Sequence, residues 1–186
     1  LYPDVPIVIG GIEASMRRLT HYDYWSDRLM PSILVDSKAD ILVYGMGEKQ
    51  IVAIAKSIEN ASLQNSSMTT YSLEAIPQTA YLSTRSPLEG KAEGILLHSH
   101  EAALKSKQVH AENFRLIETE SNKINAATIV QPVGNQYVVV NPPYPTMSTE
   151  ELDAIYDLPF QYHPHPKYKD KHIPAYEMIR FSVCMH

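Results

Sequence analysis

Two stretches near the start of the chain alternate a short apolar run with a glycine turn and a helix-compatible segment. Val5 to Ile9 (VPIVI) is continuously apolar, which suits a strand buried on both faces, and Gly10-Gly11 ends it. IEASMRRL follows with good helix formers, and Glu13 and Arg17 stand four apart in the favourable order. A second unit starts at Ala39-Asp40, runs through Tyr44, turns at Gly45-Met46-Gly47 and enters a helix. There Ile51, Ile54, Ala55 and Ile58 keep the spacing of one buried face. Two such units predict an α/β fold with a Rossmann-like parallel sheet, flanking helices and right-handed crossovers.

Beyond these units the pattern is mixed. Asn60 to Thr70 is rich in Ser, Thr and Asn and reads as a loop. Short strands are expected at Ala75 to Leu82 and from Gly94 to Leu97, with one helix over Glu101 to Ser121. Thr128 to Gln131 and Tyr137 to Asn141 flank Gly134-Asn135 as a hairpin. Ser148 and Glu151 hold capping-box spacing, so a helix is expected from Thr149 to Tyr156. The remainder reads as extended, with Glu177 to Val183 (EMIRFSV) as a last strand. The expected organisation is therefore βα units over 1–60, a mixed middle over 61–147, a short helix and proline-rich connector over 148–176, and a further strand in 177–186.

Composition supports that division. All seven glycines lie at or before Gly134, whereas eight of thirteen prolines lie between Pro132 and Pro174, where neither long helices nor central strands are sustained. Of the 186 residues 44% are apolar and 20% charged, which is a globular composition rather than a disordered one. The net charge of −5 argues against a general nucleic-acid surface, and no apolar run is long enough for a membrane span. The lone Cys184 excludes an intramolecular disulfide and fits a reducing compartment, hence a cytoplasmic protein. The chain starts at Leu1 without an initiator Met and stops at His186 just after an apolar run, so a piece of a longer protein is expected.

Three motifs carry candidate chemistry. In GMGE, Gly45, Gly47 and Glu48 sit where a strand meets a helix, a place that favours an anionic cofactor group. The third glycine of a dinucleotide fingerprint is missing, since that position is Gln50, so a purely structural turn is the competing and stronger reading. The stretch RRLTHYDYWSDR offers Arg17, Arg18, His21, Tyr22, Asp23 and Trp25 as substrate-binding candidates. Arginines for charge, rings for stacking and an aspartate for orientation suit an anion or nucleotide pocket; the alternative is a helix-terminal turn whose polar groups satisfy one another. His98 with His100 and His163 with His165 could share a strand face, but no acidic or cysteine partner stands at ligand spacing, so no metal site is read from them.

The words GGIEASMRRLTHYDYWSDRL and SILVDSKADILVYGMGE, and later YVVVNPP, ELDAIYDLPF and IPAYEMIRFSV, occur in an order that resembles the YgiQ-like family of radical S-adenosylmethionine proteins. The resemblance covers essentially the whole chain, with Asn60 to Lys123 the least distinctive part. It implies a cobalamin-binding-like, Rossmann-type N-terminal domain followed by a radical SAM barrel. In that barrel a loop with three cysteines ligates a [4Fe–4S] cluster, S-adenosylmethionine binds the fourth iron, and reductive cleavage yields a deoxyadenosyl radical. By this resemblance EMIRFSVCMH matches the barrel's first strand, the cluster motif falls after His186, and Cys184 has no ligand role. The chain offers no support for cobalamin, because the family's His-bearing loop would precede Leu1. The resemblance therefore implies a catalytically silent N-terminal piece that needs no cofactor of its own. Its partners would be the downstream barrel of the same chain and a substrate of unknown chemistry. The alternative is a non-catalytic Rossmann-like module that binds a ligand or docks on a protein.

Overall fold

The computed structural model describes residues 5–63, 71–88, 94–161 and 163–182. The chain divides into two compact units, Leu1–Thr146 and Met147–His186.

The first unit is built on a six-stranded sheet. In chain order the strands are β1 (Val8–Ile9), β4 (Ile41–Val43), β5 (Thr79–Ser83), β6 (Ile95–Leu96), β7 (Ile129–Val133) and β8 (Gln136–Val140), while β2 (His21–Asp23) and β3 (Arg28–Met30) form a separate hairpin. The helices are α1 (Gly11–Met16), α2 (Ile33–Ser37), α3 (Glu48–Leu63), α4 (Tyr71–Glu74), α5 (His100–Lys105) and α6 (Lys107–Ser121). The α/β class and the sheet with flanking helices stand as expected. Spatial order in the sheet is β1-β4-β5-β8-β7-β6. Parallel pairing holds at the two edges, β1 with β4 and β6 with β7, as the βα units require. The three inner pairs are antiparallel, so the sheet is mixed. The expected parallel sheet is thus confined to its edges, because β7 and β8 are joined by a tight turn at Gly134, whose φ is +58°.

Burial follows from the sequence of the inner strands. Ile41, Leu42, Ala80, Val130, Val138 and Val139 are fully buried, consistent with strands covered on both faces. The first strand is shorter than expected, two residues rather than five, and Val5 and Ile7 are exposed. Its register is fixed from outside: the amide of Ile7 donates to the Asp40 carboxylate at 2.7 Å.

Two helices correct the sequence pattern. The α3 helix continues to Leu63 rather than ending before Asn60; residues 64–70 of the expected loop lie outside the described residues. The buried face of α3 is also turned from the one expected. Gln50 and Ile54 are buried and Ile58 packs against the core cluster that contains Ile54, whereas Ile51, Val52 and Ala55 are exposed. A polar residue occupies the buried face, which an apolar periodicity cannot reveal. The single helix expected over Glu101 to Ser121 is two helices. Ser106 adopts an extended conformation (φ −146°, ψ 118°) and its hydroxyl accepts the amide of Val109, capping α6 and ending α5.

The second unit contains α7 (Thr149–Tyr156), a 3-10 turn at Pro166–Tyr168 and α8 (Pro174–Ile179). The capping box of α7 is complete: Ser148 Oγ accepts from Glu151 N, and the Glu151 carboxylate accepts from Ser148 N at 2.9 Å. The strand expected over Glu177 to Val183 is not formed among its described residues. Pro174 sits at the first turn with φ set for a helix, and Ala175, Glu177 and Met178 are good helix formers, so the local preference is helical. Cys184 lies outside the described residues.

Candidate functional site

The stretch from Arg17 to Arg28 is neither a continuous helix nor a disordered turn. Chain direction reverses through a two-stranded hairpin in which Tyr22 faces Leu29 and Asp23 faces Arg28. Its tip is held by Asp23, whose carboxylate accepts from the Ser26 amide at 3.1 Å and the Ser26 hydroxyl at 2.6 Å. Those bonds, led by the Ser26 hydroxyl, keep the Asp23 carboxyl below its ordinary range. Arg17 bridges Glu13 at 3.0 Å and Asp23 at 3.4 Å, tying α1 to the hairpin. Trp25 is 79% exposed at the tip, its ring 4.7 Å from that of Tyr24.

The root of the hairpin is where the candidate residues converge on a cavity. Arg18, Leu19, Thr20, His21 and Tyr22 form one wall of a cleft of about 320 Å³, and His110, Phe114, Ile117 and Glu118 of α6 form the other. Met16 closes its rim; it is 73% exposed and Phe114 is 59% exposed, so the cleft is lined with apolar surface that the fold leaves uncovered. Two buried nitrogens here have no hydrogen-bond partner, Arg18 Nε and His110 Nδ1. Arg18 Nη1 donates to the Ser15 carbonyl at 2.5 Å, and Cζ lies 5.0 Å from the centre of the Tyr44 ring. Burial lowers the Arg18 pKa and raises that of Tyr44 to about 12.

Beneath the cleft lies a polar network that positions its wall. The Thr20 amide donates to Gln131 Oε1 at 2.9 Å, Thr20 Oγ1 lies 3.1 Å from His100 Nδ1, and Gln131 Nε2 donates to the His98 carbonyl at 3.2 Å. Burial, the leading cause in each case, lowers the pKa of His21 and of His100, favouring neutral rings.

The structure therefore groups Arg18, His21 and Tyr22 in one cleft and gives Arg17 and Asp23 to the hairpin's own scaffold, with Trp25 at the tip. Tyr22 also donates to Asp27 at 2.6 Å, and that hydrogen bond is the first cause raising its pKa. His110, Phe114 and Ile117 were not legible as site residues, although their spacing along α6 places them on one face; Phe114 on that face, left uncovered, was the available signal. The GMGE residues separate. Gly45, with φ +68°, lines a second hollow of about 290 Å³ together with Ser15, Arg18, Tyr44 and Asn141. Gly47 and Glu48 line neither hollow. The turn is held from within: Gln78 Nε2 donates to the carbonyls of Tyr44 and Met46, each at 2.9 Å, and the Gly45 amide donates to Ser15 Oγ.

The histidine pairs are divided. His98 Nε2 lies 3.1 Å from Glu112, His100 faces Thr20, His163 meets the Tyr176 hydroxyl at 3.0 Å, and His165 Nδ1 accepts from the Lys167 amide. Among the described residues no three His, Cys, Asp or Glu side chains are grouped to hold a metal ion. No helix among them is long and apolar enough to cross a membrane.

Comparison with known proteins follows the same line. A family model described as Radical SAM N-terminal matches residues 1–182. A UPF0313 protein of Bacteroides thetaiotaomicron is 55% identical over 191 residues, covering 100% of this chain and 31% of its own length. One from Porphyromonas gingivalis is 49% identical and covered over 28% of its length, and one from Clostridium perfringens is 44% identical and covered over 27%. The chain spans less than a third of the length of these relatives. No solved structure matches.

Proposed function

The chain belongs to the radical SAM N-terminal family, and from that premise we propose that it is the substrate-facing N-terminal domain of a longer radical S-adenosylmethionine enzyme of the YgiQ-like kind. The observation that carries the reading is the cleft at the hairpin root. Arg18 offers a cation with a free Nε, His110 offers a free ring nitrogen, and Met16, Phe114 and Ile117 offer apolar walls beside them. Ile117 also packs against the core, but a folding role explains neither the two unpaired nitrogens nor the exposed Phe114, since an unpaired buried nitrogen costs stability and an uncovered aromatic ring contributes little to it. Together they suit a small organic molecule with an acceptor group, bound by charge at one end and by packing at the other.

The family implies a [4Fe–4S] cluster and S-adenosylmethionine in the longer protein. The described residues do not fit the cluster, which needs several thiolates where they supply none. This domain accordingly contributes binding and orientation, and the cluster's ligands come from a barrel on the same polypeptide. An iron–sulfur enzyme of this kind works in the reducing cytoplasm.

Anaerobic reconstitution of the longer protein tests both halves of the reading. It should give a brown, iron-loaded species that cleaves S-adenosylmethionine. In a thermal screen of nucleotides and other small molecules with acceptor groups, the compounds that stabilise the wild type should not stabilise Arg18→Ala with His21→Ala, because a ligand of the folded state raises apparent stability. A colourless protein without S-adenosylmethionine cleavage would rule out the enzyme, and an equal ligand response in the double variant would rule out the cleft.

A further inference from the structure

Beside the cleft, and sharing Tyr22 and His110 with it, lies a third and more open hollow of about 840 Å³ between the hairpin and the junction of α5 with α6. Its lining includes Leu29, Ala103 and Leu104 together with Arg28, Lys105 and Lys107. Three cations around one hollow stand out in a chain whose net charge is −5. Among the described residues none of the three makes an ion pair. The reason is visible for Arg28: its cross-strand partner Asp23 spends its carboxylate on Ser26 and Arg17. Asp27, the one carboxylate on the lining, accepts the Tyr22 hydroxyl.

Two further features point the same way. The 15-residue α6 begins at Lys107, so the positive end of its dipole adds to the three side chains. The His110 ring, one turn along the same helix, also lines the hollow. We infer that this hollow binds a phosphate-bearing small molecule, its phosphate held by Arg28, Lys105 and Lys107 and its organic part lying along the exposed Tyr22 ring. Three cations on one lining, with a helix N-terminus among them, match an anion of more than one charge, and the volume is that of a small-ligand site. The inference stands whether or not the neighbouring cleft takes a substrate.

Tripolyphosphate titrated into the full chain is the probe, followed by calorimetry and by the amide NMR signals of Lys107 and Gln108. The wild type should bind and shift those two signals. Arg28→Gln with Lys107→Gln should bind about tenfold more weakly, with an unchanged melting temperature because both side chains are exposed. Lys169→Gln with Lys171→Gln, in the other unit, should bind as the wild type does. Absence of binding to the wild type overturns the inference. So does an equal loss in both double variants, which would mark a general surface-charge effect. Arg18→Ala should leave tripolyphosphate binding intact, so failure of the cleft and failure of this hollow are read separately.

Discussion

Thr20 and Gln131, far apart in the chain, are joined by a hydrogen bond from the Thr20 amide to Gln131 Oε1 at 2.9 Å, and Gln131 is fully buried. That bond fixes the hairpin root to β7 and so sets the position of the cleft wall that carries Arg18 and His21. Its other amide end donates to the His98 carbonyl, which makes the side chain a clamp between two segments of the first unit. Gln131→Leu keeps the volume and removes both bonds, leaving the Thr20 amide unpaired. The expected loss is about 2–3 kcal/mol, measured by urea unfolding. A change below about 0.5 kcal/mol, within the usual range for surface substitutions, would show that the clamp contributes nothing.

The glycine turn after β4 makes a sharper test of local geometry. Gly45 has φ +68°, and a Cβ placed there would lie 2.9 Å from Gln78 Nε2. Gly134 has φ +58° but open space around its Cβ position. Both substitutions to Ala meet backbone strain, of about 1 kcal/mol, and only Gly45→Ala also pushes on a neighbour. Gly45→Ala should therefore be the more destabilising in thermal melts. Combining it with Gln78→Ala should give less than the sum of the two single losses, since the contact is shared.

Much of the fold was legible because it is written in short-range chemistry. Gly134 marked the β7–β8 turn, and Ser148 with Glu151 marked the start of α7, since each depends only on residues a few positions away. The inner pairing of the sheet was not legible: β5 and β8 meet through Ala80 and Val140, and nothing in either segment names its partner. Nor was the true face of α3, because Gln50 is buried by its surroundings in spite of its polarity. The candidate site was half legible. Arg18, His21 and Tyr22 stand in one word of sequence, whereas His110 and Phe114 reach them only through folding.

His21 in the cleft wall and His100 beneath it predict a pH dependence of stability. Burial depresses the folded-state pKa of His21 and of His100 below the ordinary 6.5. Both rings are then neutral in the fold while the unfolded chain still takes up protons, so the stability they permit is complete above pH 6.5. It should be lost as pH falls from there through the folded pKa values. Urea midpoints across this range should decline, and His100→Gln should flatten the decline. The carboxylates act in a lower window. Glu120, held below its ordinary 4.5 first by the Ala127 amide and then by Lys123, adds its loss only as pH falls below 4.5. A profile level down to that point would contradict the histidine assignment.

Arg18 separates a residue kept for binding from one kept for the fold. Its Nε is buried without a partner, a cost to stability of about 1–3 kcal/mol. Its contact with the Tyr44 ring offsets about 0.5–2 kcal/mol of that. Arg18→Met fills a similar space and removes the unpaired nitrogen, but forfeits the ring contact and the Nη1 bond to the Ser15 carbonyl. The gain and the losses oppose each other, so unfolding free energy should stay within about 2 kcal/mol of the wild type. A purely structural arginine predicts a clear loss instead. If the cation is retained for a ligand, Arg18→Met should fold normally and lose the stabilisation that a bound ligand confers, a separation of stability from function that is common where a site holds unpaired groups. Arg18→Lys restores the charge without the planar fork, so it should recover only part of that response.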